Sequence, residues 1–169
     1  MTGDQLILVG APAAGKTTVG RLLAQRHELA FIDTDEQLAE ALGLSLPEAW
    51  ATRPEPELAA LEAQVCTNLL ELPGVIALGS RAVADPEVRA LLRDRRVVWL
   101  RVSSTQLTRR LGMGSLGMAA LTALRGQMDA LLASREPWYE EVAGIALETD
   151  RLTPAGVADL IEQAWEGSS

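Results

Sequence analysis

Eight residues near the start of the chain, Gly10-Ala11-Pro12-Ala13-Ala14-Gly15-Lys16-Thr17, match G-x-x-x-x-G-K-[ST], the pattern of loops that hold phosphate groups. Glycines let successive backbone N–H groups turn inward onto an anion, and a helix that starts at the loop adds the positive end of its dipole. A lysine at the seventh position reaches the outer phosphates of a nucleotide, and the hydroxyl after it can hold a magnesium ion. Lys16 is the only lysine in the chain, whose other cationic side chains are arginines. Composition therefore works against lysine everywhere except where such a loop requires one. The candidate nucleotide contacts are Gly10, Pro12, Ala13, Ala14, Gly15, Lys16, Thr17 and Thr18, with a nucleotide and Mg2+ as the expected ligands.

A second group with chemical potential is Asp33-Thr34-Asp35, which follows the apolar stretch Leu29 to Ile32. Carboxylates at i and i+2 can divide two tasks. One can enter a magnesium shell or draw a proton from an attacking hydroxyl, and the other can accept hydrogen bonds from substrate hydroxyls. The alternative is that both merely cap the helix that follows. Other users of phosphate loops fit less well. A guanine-specific switch protein needs an Asn-Lys-x-Asp signature, which the lack of a second lysine forbids. A motor ATPase ends another buried strand in a carboxylate, yet Val75 to Leu78 ends in Gly79, and Val97 to Val102 ends in Ser103-Ser104.

These groups need a scaffold. Gln5 to Val9 reads as a buried strand before the loop and Thr17 to Arg26 as an amphipathic helix after it, the context that the motif requires. Further on, Asp35 to Leu42 has helical spacing and stops at Gly43. Ser45, Pro47 and Glu48 cap a short helix through Trp50. Glu55 to Leu72, Asp85-Pro86 to Arg95, Ser104 to Leu111, Ala119 to Arg135 and Pro154 to Trp165 are the remaining helices. Strands are expected at Leu29 to Ile32, Val75 to Leu78, Val97 to Val102 and Ile145 to Leu147. Strands that alternate with helices predict an α/β fold, a parallel sheet covered by helices on both faces, with ligands at the carboxyl ends of its strands. Gly112-Met113-Gly114-Ser115-Leu116-Gly117 matches G-x-G-x-x-G, but a helix separates it from the preceding strand, so it reads as a mobile loop suited to hinge a lid. Gly167-Ser168-Ser169 reads as a frayed end.

At 169 residues the chain suits one core and a single domain, 1–169. Hydrophobic residues make up 48% and aromatic ones 4%. A net charge of −8 and a pI near 4.7 argue against nucleic acid and anionic membranes as partners. No apolar run approaches membrane-spanning length and the first residues enter a strand directly, so a cytoplasmic protein acting on a small molecule is expected, as a monomer. Cys66 and His27 lie on different helices, and both are expected to be structural.

Taken together, several stretches resemble the shikimate kinase family along essentially the whole chain. They are Leu8-Val9-Gly10 through Gly20-Arg21-Leu22-Leu23, Phe31-Ile32-Asp33-Thr34-Asp35, Leu44-Ser45-Leu46-Pro47-Glu48, Val75-Ile76-Ala77-Leu78-Gly79, Val97-Val98-Trp99-Leu100, and Arg135-Glu136-Pro137-Trp138-Tyr139. The resemblance implies a P-loop NTPase fold with a five-stranded parallel sheet in the nucleoside-monophosphate-kinase arrangement. It implies a lid at about 111–124 and transfer of the γ-phosphoryl of ATP to a hydroxyl of shikimate. By the same resemblance, Lys16 and Thr17 serve phosphate and magnesium, and Asp33 positions metal or activates the hydroxyl. Asp35 and the Gly79-Ser80-Arg81 loop line the substrate site, Arg135 pairs with its carboxylate, and Arg110 lies against adenine.

The chain departs from the family pattern at three places. Leu58-Ala59 stands where members carry Phe-Arg, whose arginine grips the substrate carboxylate. Gly79-Ser80-Arg81 replaces three glycines, and Leu111 to Leu124 lacks the lid arginine. Arg81 is then a candidate replacement for the first guanidinium, and Arg109 or Arg125 for the second. The rival functions are a paralogue that phosphorylates another hydroxylated metabolite, and a nucleotide-binding regulator without turnover.

Overall fold

The computed structural model describes residues 5–166, so the expected frayed end at 167–169 lies outside the described residues. The elements run β1 (Gln5–Val9), α1 (Lys16–Arg26), β2 (Phe31–Asp33), α2 (Thr34–Leu42), α3 (Leu46–Thr52), α4 (Glu55–Leu69) and β3 (Gly74–Ala77). They continue with α5 (Pro86–Leu92), β4 (Val97–Arg101), α6 (Ser104–Arg110), α7 (Met118–Val142), β5 (Ile145–Glu148) and α8 (Pro154–Glu166). All strand pairs are parallel, in the order β2-β3-β1-β4-β5. Helices cover both faces, as strands with no polar alternation demand.

Period two along the strands divides the core into two layers. Leu6, Leu8, Val75, Val98 and Leu100 pack with Val19 and Leu23 of α1 and with Val157 and Ile161 of α8. Ile7, Val9, Ile76, Leu78, Val97 and Trp99 point the other way, onto Cys66 of α4, Val88 and Leu92 of α5, and Tyr139 and Val142 of α7. Neighbouring strands place Leu8 beside Ala77 and Val98, and Asp33 beside Ala77. The carboxyl ends of β1, β2 and β3 therefore emerge together, with the phosphate loop and Asp33 on one edge.

Local signals set several boundaries. Ser45 and Glu48 form a reciprocal capping box at α3, and Asp85 caps α5 through the amides of Glu87 and Val88. Helix α7 is the largest difference from the sequence reading. It does not stop at Arg135 but continues to Val142 through Pro137. A proline removes one helical hydrogen bond. Here the buried Tyr139, stacked on Trp99, and the buried Val142 hold the last turns against the sheet. Helix α5 ends at Leu92 rather than Arg95, and α4 at Leu69 rather than Leu72. The segment 111–124 consists of a short turn at Met113–Ser115 and then the first turns of α7. Among the described residues no helix is long and apolar enough to cross a membrane.

Candidate active site

The loop between β1 and α1 is built to receive an anion. Gly15 adopts φ 100°, a left-handed conformation that favours glycine, and no side chain caps α1 behind it. The first amides of that helix are left to a ligand. Ala13 also sits at φ 59°, a strained conformation for alanine of the kind that clusters at ligand clamps.

Lys16 folds back along the loop, its Nζ donating to the carbonyls of Gly10 at 2.8 Å and Ala11 at 2.9 Å. Burial lowers its pKa to about 8, against the opposing pull of the Asp35 and Asp33 carboxylates. The Thr17 hydroxyl donates to Asp33 Oδ2 at 2.6 Å. Asp33 also caps α2, its Oδ1 accepting from the amides of Asp35 at 3.0 Å and Glu36 at 3.3 Å. Asp33 thus caps the helix through one oxygen and turns the other to Thr17, so the cap leaves that second oxygen available. Thr17 and Asp33 bring two hard oxygen donors together, the ligand type that suits magnesium when waters and phosphate oxygens complete the shell. Among the described residues no three His, Cys, Asp or Glu side chains converge as a protein-only metal site.

A cleft of about 590 Å³ opens beside these groups, and its walls include Lys16, Thr17, Asp33, Asp35, Ser80 and Arg110. Its other end is closed by Thr149, Leu152, Pro154 and Val157, from the end of β5 into α8. Sequence reasoning missed this wall, since only its place beyond a strand's carboxyl end marked it. Arg110 spans the same end, donating to the carbonyls of Ala13 and Ala14 at 3.1 Å and to Thr149 at 3.4 Å.

On the opposite side, Asp35 and Glu62 close over Gly79. A Cβ at that position would lie 2.4 Å from Asp35 Oδ1 and 3.0 Å from Glu62 Oε1, so any other residue would push the Asp35 carboxylate aside. The Gly79 amide donates to Thr34 Oγ1 at 2.8 Å. Burial raises the pKa of Asp35, and burial with the Asp35 charge pushes Glu62 up to about 7. Thr34 and Glu62 were not among the sequence candidates, because their partners lie far away in the chain. Arg135 lies behind this loop, where its Nη1 donates to the Ser80 carbonyl at 3.2 Å beside the Tyr139 hydroxyl at 2.9 Å.

Arg81 does not line the main cleft. It borders a separate cavity of about 180 Å³ with Ala59, Glu62 and Asp85. The phosphate loop, Asp33, Asp35, Ser80 and Arg110 meet in one space, with Gly79 and Arg135 directly behind. Arg109 and Arg125 are exposed on α6 and α7. Cys66 is buried, and burial pushes its thiol up to about 12, which keeps it unreactive. His27 lies at the far end of α1, 2.9 Å from Glu162.

Comparison with known proteins gives the same picture over nearly the whole length. The shikimate kinase family model matches residues 12–166. The chain is 40% identical over 157 residues to a shikimate kinase of Saccharopolyspora erythraea, covering 92% of this chain and 90% of that one. It is 35% identical over 167 residues to one of Streptomyces coelicolor, covering 98% of both. Among solved structures, shikimate kinase from Acinetobacter baumannii in complex with shikimate superimposes with a TM-score of 0.83 at 29% identity, covering 98% of this chain and 94% of that one. With a family model matched over nearly the whole chain and relatives at 35–40% identity, the chain belongs to the shikimate kinase family of phosphotransferases.

Proposed function

We propose that the chain transfers the γ-phosphoryl group of ATP to a hydroxyl of shikimate. The observation that carries this reading is the 2.6 Å contact of Thr17 with Asp33, which joins the nucleotide loop to the strand end that also supplies Asp35. Donor and acceptor then share one cleft, and a transfer that depends on positioning needs little more.

Each side chain has a role in this reading. Lys16 leaves the Gly10 and Ala11 carbonyls for the outer phosphates, and the amides at the start of α1 hold the inner ones. Thr17 and Asp33 would hold magnesium, whose chemistry is to neutralise charge on the transferring group. Asp33 is also placed to take the proton of the attacking hydroxyl. Asp35 accepts from the other hydroxyls of the acceptor, over the floor made by Gly79 and Ser80, and Arg135 faces its carboxylate. Arg110 and the Thr149–Pro154 wall enclose the base. Residues 111–124 act as the lid, and the enzyme works as a cytoplasmic monomer.

The cavity beside Ala59 and the arginine-free stretch from Leu111 to Leu124 favour a second reading, in which the acceptor is another hydroxylated metabolite. Coupled ADP release with Mg-ATP, with and without millimolar shikimate, tests the two, with Lys16→Ala as the blank. Saturable shikimate-dependent turnover absent from the blank supports the first. Turnover only with other hydroxy acids or sugars supports the second. ATP binding without turnover on any of them refutes both.

A further inference from the structure

Arg81 lies two residues beyond Gly79, and its guanidinium carbon sits 3.7 Å from the centroid of the Trp50 ring. Its Nη2 donates to Glu55 Oε1 at 3.0 Å. Trp50 belongs to α3 and Glu55 is the first residue of α4, so both supports come from one helical hairpin. Stacking on a tryptophan face fixes the plane of a guanidinium while leaving its N–H edge free to meet a planar anion. The small side chain of Ala59 leaves open the cavity into which that edge can reach. Glu62 lines that cavity with Arg81 and its carboxyl also lies against Gly79, which joins the cavity to the acceptor floor.

The Arg81–Glu55 pair is exposed on both sides, at 40% and 74% of the side chains. An exposed pair of this type is weak and readily exchanged. We propose that Glu55 is a built-in competitor: Arg81, seated on Trp50, is the anchor for the acceptor's carboxylate, and the Glu55 carboxylate occupies that anchor until the acceptor replaces it. This rests on the reading that the acceptor carries a carboxylate, as shikimate does. Trp50 is then a positioning residue, and the exchange of one carboxylate for another makes an uncharged polyol a poor ligand.

The sign of the expected effect is unusual, because removing a salt bridge should improve binding. Loss of a competitor of this strength tightens shikimate binding roughly 1.5- to 5-fold. The experiment is calorimetric titration of the whole chain with shikimate, on the wild type, Glu55→Gln, Arg81→Ala, Arg81→Lys and the Glu55→Gln/Arg81→Ala pair, with ATP affinity as the folding control. Glu55→Gln should tighten shikimate binding, and Arg81→Ala should weaken it roughly tenfold or more. Arg81→Lys should restore part of the loss, and Glu55→Gln should have no effect once Arg81 is gone. ATP affinity should stay the same throughout. Wild-type binding that Arg81→Ala leaves intact, or binding that Glu55→Gln weakens, overturns this proposal alone. An absence of shikimate binding by the wild type overturns the acceptor reading and this proposal with it.

Discussion

Asp33 carries two duties on two oxygens, and a pair of substitutions separates them. Oδ1 caps α2 through two amides, and Oδ2 accepts from Thr17. Asparagine is as good a cap as aspartate, whereas alanine costs about 1 kcal/mol at such a position. Alanine also leaves the Thr17 hydroxyl without its acceptor, so Asp33→Ala should cost about 2 kcal/mol in all. For a domain of this size that lowers Tm by roughly 4–8 °C. Asp33→Asn keeps the cap through its one oxygen and turns its NH2 group to Thr17, whose hydroxyl can accept instead of donate, so its Tm should fall by no more than about 2 °C. Its activity should still collapse, because a neutral amide neither takes a proton nor balances a metal, and a positioned base is worth roughly a hundredfold or more. Thermal denaturation and ADP release on the same preparations make the comparison. If Asp33→Asn turns over within about threefold of the wild type while Asp33→Ala melts early, Asp33 is only a helix cap and the catalytic assignment fails.

Three further outcomes follow from the site. Glu62, held protonated up to about 7 in the fold against 4.5 in the unfolded chain, contributes stability that is whole below 4.5 and lost as pH rises to 7, about 3 kcal/mol across the window. The Tm of Glu62→Gln minus that of the wild type should therefore climb between these values and level off above them; a constant difference refutes it. Lys16, lowered to about 8 by burial, must be charged to meet phosphate, so the ATP dissociation constant should rise up to about tenfold per unit above pH 8. A flat profile from 7 to 9.5 would show that the ammonium is not a phosphate contact. Gly117 has an ordinary backbone (φ −58°, ψ 154°) and open space around a Cβ, so Gly117→Arg should fold normally. If residues 111–124 close over the phosphates, it should raise kcat at least about tenfold by returning a guanidinium to the lid; unchanged kcat counts against that closure.

Legibility in the sequence followed the range of the interactions. The phosphate loop, the Asp33–Asp35 spacing and the Ser45–Glu48 cap were readable because each is made within a few residues. So was the alternation of strands and helices. The order of the strands was not, since β3 enters between β1 and β2 through pairs such as Ile7 with Ile76 that no local pattern encodes. Pro137 misled for the same reason: it marks a helix end locally, but Tyr139 and Val142 hold the helix onto a sheet formed far away in sequence. The convergence of Asp35 and Glu62 on Gly79, and of Trp50 and Glu55 on Arg81, joins parts of the chain that only the fold brings together.

The two halves of the cleft also differ in how they can change. In the proposed reaction nucleotide binding rests mainly on backbone, in the turn at Gly15 and the uncapped amides of α1, so most side chains around it can vary while the loop geometry persists. Acceptor binding rests on side chains whose charge and direction must be supplied one by one. That is where the resemblance to the family leads one to expect departures, at Ala59, Ser80 and Arg81. A guanidinium lost from α4 can be supplied from the end of β3 only if something new orients it, and Trp50 beneath Arg81 does so. The orienting hairpin also brings Glu55 into the same place, so the relocated anchor starts out occupied. Affinity for the acceptor should accordingly depend on ionic strength more steeply at the Arg81 end than at Arg135, whose position behind the Ser80 carbonyl is less open to solvent. Titrating shikimate in low and high salt against Arg81→Ala tests this. If the salt dependence survives in that variant, the exposed anchor is not Arg81.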